Sequence, residues 1–353
     1  MTAVHQLLPV FSVGDAIGSA VLRTETMLRR LGFESRIYAE LYDERLAGVS
    51  TPAERLPDEI GENGAVLYHL SIGSAMAALF ERLPAKRCVV YHNITPAAYY
   101  RGTNPRVTYW LERGRSDLAR LAPVADLVIG VSAFNLEEAR SYGAHRCAVV
   151  PPPADLGRLR PRPSHPADPP VILFVGRVAP NKRHDELIRV LAALRATTMP
   201  RARLVLAGNS EDTETYVDRL RDFAAELGVA EAVDLSGRRR SDAEIGDLYA
   251  SAAVYACASE HEGFCVPLLE AMAFEVPIVA LAAGAVPDTL GDAGILLGHR
   301  DPLVWASVID RVVNDQGLRS ELAARGRHRL VEFGGPAVER RLGEALASAG
   351  IVP

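Results

Sequence analysis

The 353-residue sequence predicts an α/β protein of two open domains, each built on a parallel sheet. Three observations carry this. The chain is long enough, at 48% hydrophobic residues, to bury two ordinary cores rather than one. Short apolar or β-branched runs alternate throughout with stretches of helical period, the pattern of βα units. Between them lies PPPADLGRLRPRPSHPADPP, residues 151–170, whose eight prolines can continue neither a helix nor a sheet ladder. That segment reads as a linker between a first domain, 1–150, and a second, 171–335.

In the first half the expected strands are Val4–Val10, Ser35–Ala39, Ala65–His69, Cys88–Tyr91, Leu127–Val131 and Ala148–Val150, with helices such as Ala16–Leu31 and Pro105–Leu121 between them. In the second half the expected strands are Val171–Val175, Arg203–Ala207, Val233–Ser236, Ala253–Ala256, Pro277–Ala280 and Gly294–Leu297. Helices there are expected to begin near Arg183, Thr213, Asp242, Pro267 and Pro302. Two such domains are expected to leave a cleft, and open α/β sheets bind ligands at the carboxyl ends of their strands. Chemistry is therefore sought in the loops that follow strands.

Composition removes several classes. A net charge of −5 argues against nucleic acid as a partner. Cys88, Cys147, Cys257 and Cys265 show no C-x-x-C pairing and no histidine clustering, so neither a zinc module nor a disulfide framework is expected, and a reducing cytoplasm fits best. The N-terminal residues lack a basic stretch before an apolar run, and no segment approaches a membrane span.

The most informative segment is AVYACASEHEGFCVPLLEAMA, residues 253–273, a strand running through a glycine-containing loop into a helix. Pro267 suits a first helical turn. Helix N-termini expose N–H groups and a positive dipole end, so Gly263, Phe264, Cys265 and Val266 are placed to meet a phosphate or sugar hydroxyl. Glu262 and Glu270 flank this stretch, and carboxylates so placed accept hydrogen bonds from vicinal hydroxyls. Either one alone would be an ordinary solvated or dipole-complementing charge; the pair around GFCVP is what points to a ligand. A second strand–glycine–helix segment, VILFVGRVAPNKR, residues 171–183, carries Arg177 and Lys182. Two cations at a strand mouth suit a diphosphate, both to hold it and to stabilise its charge as it leaves.

GRVAPNK followed by EHEGFCVPLLEAMA resembles the two donor-site signatures of the family-four retaining glycosyltransferases, which have the GT-B architecture of two Rossmann-like domains. SGRRRSDAEIGDLYASAA, residues 236–253, is similar to the loop and helix near the donor base in that family. The resemblance implies that Arg177 and Lys182 hold the donor diphosphate. It further implies that Glu270 binds the ribose hydroxyls, that Glu262 contacts the transferred sugar, and that the amides of Gly263, Phe264 and Cys265 complete the cradle. The family usually has glycine where this chain has Cys265. The closing helix, about residues 336–353, is expected to pack back across the linker as in GT-B chains.

The first half resembles the family more loosely. The loop SVGDAIG, residues 12–18, with Gly14 and Asp15, follows a strand and opens a helix, so it is expected either to lie over the donor phosphates or to admit the acceptor; it is no G-x-G-x-x-G fingerprint. His92 in YHNITP stands at a strand end and by resemblance contacts the donor sugar near the reacting carbon, whereas His5, His69 and His261 are read as structural. No D-x-D occurs, only D-x-E at residues 212–214 and 242–244, so no metal or other cofactor is expected. Arg101, Arg106, Arg113, Arg115 and Arg120 around Tyr109 and Trp110 suggest either a solvated helix face or peripheral contact with an anionic membrane surface.

The resulting expectation is a cytoplasmic, metal-independent transferase moving mannose or glucose from a GDP- or UDP-type donor to an unidentified hydroxyl acceptor. The alternatives are a GT-B sugar phosphorylase, an epimerase, or a nucleotide-sugar binding protein without activity.

Overall fold

A computed structural model describes residues 2–12, 14–211 and 213–353, so Val13 of the SVGDAIG loop and Asp212 of the first D-x-E lie outside the described residues. The chain forms two compact units, residues 1–154 with 332–353, and residues 155–331.

The first unit is built on a seven-stranded sheet. Its strands are β1 (Val4–Phe11), β2 (Ile37–Tyr42), β3 (Ser50–Pro52), β4 (Ala65–Leu70), β5 (Lys86–Tyr91), β6 (Leu127–Gly130) and β7 (Cys147–Val149), in the order β3-β2-β1-β4-β5-β6-β7. Every pairing is parallel. All six residues of β4 are buried, as a parallel strand covered on both faces requires. The core includes Leu7, Tyr38, Tyr68, Phe80, Val89 and Leu118.

The second unit carries a six-stranded parallel sheet of β8 (Val171–Val175), β9 (Arg203–Ala207), β10 (Val233–Asp234), β11 (Val254–Cys257), β12 (Ile278–Leu281) and β13 (Ile295–Leu297), in the order β10-β9-β8-β11-β12-β13. In each sheet the chain moves outward from a central strand and then restarts on its other side. The order reverses between β1 and β4 and between β8 and β11, and at such a reversal the flanking crossovers open a crevice at the carboxyl ends of the strands.

The structure departs from the sequence expectation at a few places. The strand expected at Ser35–Ala39 runs from Ile37 to Tyr42, because its partner β1 continues to Phe11 and pairing from Gln6↔Ile37 to Phe11↔Tyr42 carries it past the polar Glu40. The edge strand β3 was not expected; three residues ending in Pro52 give too little pattern to read. The helix Gln316–Val331 also escaped, since only Leu322 and Gly326 are buried along it.

The proline-rich segment is no free spacer. From residue 155 onward it belongs to the second unit, where the amides of Ser164, His165 and Ala167 donate to the carbonyls of Phe274, Ala250 and Ser251. Its prolines stop helix and strand, and the N–H groups between them still find partners. The last helix, Gly335–Ser348, belongs to the first unit, where Val338, Leu342 and Leu346 are buried and Lys86 Nζ donates to the carbonyl of Ala349 at 2.7 Å.

Candidate active site

The loops after β8 and β11 lie on either side of the strand-order reversal in the second unit. They are joined by hydrogen bonds from Glu260 N to Asn181 O (2.9 Å) and from Asn181 Nδ2 to His261 O (3.0 Å). Two glycines let the loops after β9 and β12 close on these two from the outside. A Cβ on Gly208 would stand 1.9 Å from the Gly176 carbonyl oxygen, and Gly284, at φ 56°, passes so close to Glu262 that a Cβ would lie 2.9 Å from its backbone N and O.

Lys182 and Glu262 meet here. The ammonium lies 2.7 Å from Glu262 Oε2, with side-chain exposures of 18% and 10%. Burial alone would lower the Lys182 pKa, but the adjacent Glu262 carboxylate outweighs it and holds the ammonium above its ordinary value. A permanently charged cation thus sits in a largely desolvated place, where its interaction with an arriving anion is screened little. Next to it Arg183, in left-handed backbone at φ 53°, bonds Asp185, Glu186 and Glu260, and Arg300 reaches Glu260 at 2.6 Å. This network fixes the turn that presents Lys182.

Glu270 lies within the helix Val266–Ala273 and is 3% exposed. Arg158 Nη2 donates to one carboxylate oxygen at 2.5 Å and the Tyr249 hydroxyl to the other at 2.9 Å. Burial pushes its pKa up, and Arg158 opposes that shift. A carboxylate offers about four acceptor positions, so two remain for ligand hydroxyls. Arg158 and Tyr249 were not singled out from the sequence: the arginine falls in the proline-rich segment, which read as a spacer, and the tyrosine in an ordinary helical pattern.

Cys265 precedes that helix at φ 71°, the left-handed region that favours glycine, as the resemblance had flagged. Its thiol and that of Cys257 are both buried, and hydrogen bonding to Cys257, together with burial and the nearby Glu262 carboxylate, pushes the Cys265 thiol up. Thr289 Oγ1 donates to the Phe264 carbonyl at 2.5 Å, fixing the loop from behind and leaving the amides of residues 263–266 at the helix start.

In the first unit, Gln6 on β1, His69 on β4 and His92 after β5 form a lateral chain. Gln6 Nε2 donates to the Val21 carbonyl at 3.1 Å, so Gln6 Oε1 faces His69 Nε2 at 3.0 Å. His69 Nδ1 stands 2.8 Å from His92 Nε2. Burial holds both rings neutral, lowering His92 to about 4 and His69 well below its usual value. A carbonyl can only accept, so the tautomers follow: His69 donates at Nε2 and accepts at Nδ1, and His92 donates at Nε2 and keeps Nδ1 as its acceptor. His69 is therefore no bystander to His92. Strand period tells inside from outside but not which side chain on the next strand a residue meets.

Asp15 caps the helix Ala16–Arg30, accepting from Gly18 N at 3.2 Å, and Gly14 turns at φ 74°. In the arginine-rich stretch, Arg113 and Arg120 pair with the buried Asp117, Arg120 with Glu81, Arg115 with Glu138, and Arg101 with Glu112. Much of its charge is thus neutralised within the unit.

The sequence model of the family described as glycosyl transferases group 1 matches residues 157–329, nearly the whole second unit. The second unit is a group 1 glycosyltransferase domain. The D-inositol 3-phosphate glycosyltransferase of Kineococcus radiotolerans is 33% identical over 233 residues, covering 59% of this chain and 53% of that protein. The namesake from Streptomyces bingchenggensis is 28% identical over 385 aligned residues, covering 91% and 82%. The chain spans about half the length of the first curated relatives it matches, 53% and 42% of two of them. Among solved structures, the sucrose-phosphate synthase of Thermosynechococcus elongatus superposes at TM-score 0.75 with 18% identity over 98% of both chains. Anabaena Alr3699/HepE in complex with UDP-glucose superposes at 0.74 with 18% identity over 97% of this chain and 99% of that one. These likenesses establish the GT-B fold.

Within the group 1 glycosyltransferase domain, Lys182, Glu262 and the amides of Gly263, Phe264, Cys265 and Val266 gather around the carboxyl ends of β8 and β11. Arg177 follows β8 directly, and Glu270 lies a turn into the helix behind them. Gly14, Asp15 and His92 stand in the first unit.

Proposed function

We propose that the protein transfers a hexosyl unit from a nucleotide diphosphate sugar to a hydroxyl acceptor, with retention of configuration and without a metal. The observation that carries this is the largely buried Lys182–Glu262 pair at the strand-order reversal of a group 1 glycosyltransferase domain, beside the start of a helix. A departing diphosphate needs positive charge held in place before the bond breaks, and Lys182, Arg177 and the helix-start amides supply it. Glu262 orients the sugar, and the remaining acceptor positions of Glu270 take the ribose hydroxyls. The anomeric carbon passes through an oxocarbenium-like state as its bond to the phosphate oxygen breaks. That oxygen then takes the acceptor's proton on the face where the new C–O bond forms, which retains configuration. UDP is the favoured nucleotide because the HepE neighbour holds UDP-glucose. The relatives' name makes a phosphorylated inositol the first acceptor to try. Four unpaired thiols suit a reducing, cytoplasmic setting. Docking on an anionic membrane through Arg101–Arg120 draws less support, given the ion pairs within that stretch.

The test is a thermal-shift screen against UDP, GDP, ADP, TDP and their glucose and mannose conjugates, followed by a transfer assay. One nucleotide should stabilise the wild type by mass action, and Arg177→Ala and Glu270→Ala should lose the response. Binding without transfer to any hydroxyl would make the protein a carrier of nucleotide sugar. Turnover with inorganic phosphate and no nucleotide would make it a phosphorylase.

A further inference from the structure

Among the described residues, one group places three metal-ligating side chains together: a carboxylate oxygen of Glu262 and the sulfurs of Cys257 and Cys265 lie within 4.8 Å of one another, and all three residues are buried. Cys257 ends β11 and Cys265 precedes the helix Val266–Ala273, so the two sulfurs are brought together by the loop between them. Cys265 keeps its side chain in a backbone conformation that glycine adopts without strain, at φ 71°. Strain of that kind, about 1 kcal/mol or more, persists where surrounding structure or function holds it.

We propose that Cys257, Cys265 and Glu262 form a three-ligand site for a thiophilic divalent cation, zinc above all, with the fourth position left to water. Tetrahedral zinc with two sulfurs at about 2.3 Å and an oxygen at about 2.0 Å sets its ligands roughly 3.5–3.8 Å apart, a spacing that small side-chain rotations reach from here. Binding expels two thiol protons to solvent. Two thiolates, one carboxylate, the Lys182 ammonium and one dication then sum to zero, so the buried cluster stays neutral. Soft sulfur ligands select zinc or cadmium over magnesium and calcium. The bound cation ties the end of β11 to the start of the following helix and shares the Glu262 carboxylate with Lys182.

The full-length protein, reduced and anaerobic, is titrated with cadmium while the thiolate-to-cadmium charge-transfer absorbance is followed. Zinc is then scored by its effect on the melting temperature. The expected result is one cation per chain, a higher melting temperature with zinc and no effect of magnesium. Cys257→Ser and Cys265→Gly should abolish the band, and Glu262→Gln should weaken binding by about ten-fold or more. The Cys265→Gly chain suits the left-handed backbone, so loss of the band with its melt intact reports the site and not unfolding. Absence of a stoichiometric band in the wild type overturns the proposal. So does a band that survives in Cys265→Gly, since Cys265 is then not a ligand.

Discussion

Arg158 is the residue on which the buried carboxylate of Glu270 depends. It is 36% exposed at its side chain, while Glu270 is 4% exposed, so the pair is half in water. Removing one partner of a fully buried pair costs about 3–5 kcal/mol; the partial exposure here brings the expectation for Arg158→Ala to about 2 kcal/mol. Urea denaturation measures it, and a change below about 0.5 kcal/mol would show that Tyr249 and solvent suffice for Glu270. Arg201–Asp168, exposed on both sides, should give almost nothing in the same assay. The contrast also shows what the sequence hid. Arg177, Lys182, Glu262 and Glu270 sit in strand–loop–helix segments with a readable pattern. Arg158 lies among prolines whose path is set by the unit it folds onto, and the meeting of Cys257 with Cys265 depends on the turn of the loop between them. Composition marks neither.

At the scale of elements, apolar runs separated by helical period were enough to place every strand of both sheets except β3, because parallel strands buried on both faces are continuous in hydrophobicity. Strand ends were less legible, since pairing with a longer neighbour extends them, as β1 extends β2. The helix Gly335–Ser348 completes the first unit although it comes last in the chain. Its Val338 and Leu342 line a small cavity of about 30 Å³ together with Met27, Leu67, His69 and His92. Truncation after Val331 therefore strips cover from the histidine chain as well as from the core. Each fully buried Val or Leu contributes about 1.5–3 kcal/mol, so the loss of Val338, Leu342 and Leu346 is expected to leave the first unit open to limited proteolysis. The fragment 155–331 should stay resistant under the same digestion; equal resistance of the truncated first unit would mean that the helix is dispensable.

Across the whole molecule, buried neutral histidines set the response to mild acid. His5, His69 and His92 in the first unit and His184 in the second all have pKa values lowered by burial, to about 4 for His92 and about 3 for His184 from 6.5. The unfolded chain takes up these protons as pH falls below 6.5 and the folded chain does not, so their contribution is complete above 6.5 and is lost progressively toward the folded values. Each contributes a slope of up to about 1.4 kcal/mol per pH unit. Calorimetry between pH 7 and 5.5, above the ordinary carboxylate range, should show both units losing stability and the first losing more. A profile flat over that interval would mean that these rings are protonated in the folded protein.

The return of the last residues to the first unit has a consequence for how the protein is made. A ribosome delivers residues 1–154, then the entire second unit, and only then the segment 332–353 that covers β6 and β7. The second unit has all of its chain in hand while the first is still waiting for its closing helix. Order of synthesis and order of completion are therefore reversed: the part that emerges first finishes last. Its apolar cavity wall, with His69 and His92, stays uncovered until residues 332–353 have left the tunnel, and in that interval the nascent protein is most in need of a chaperone.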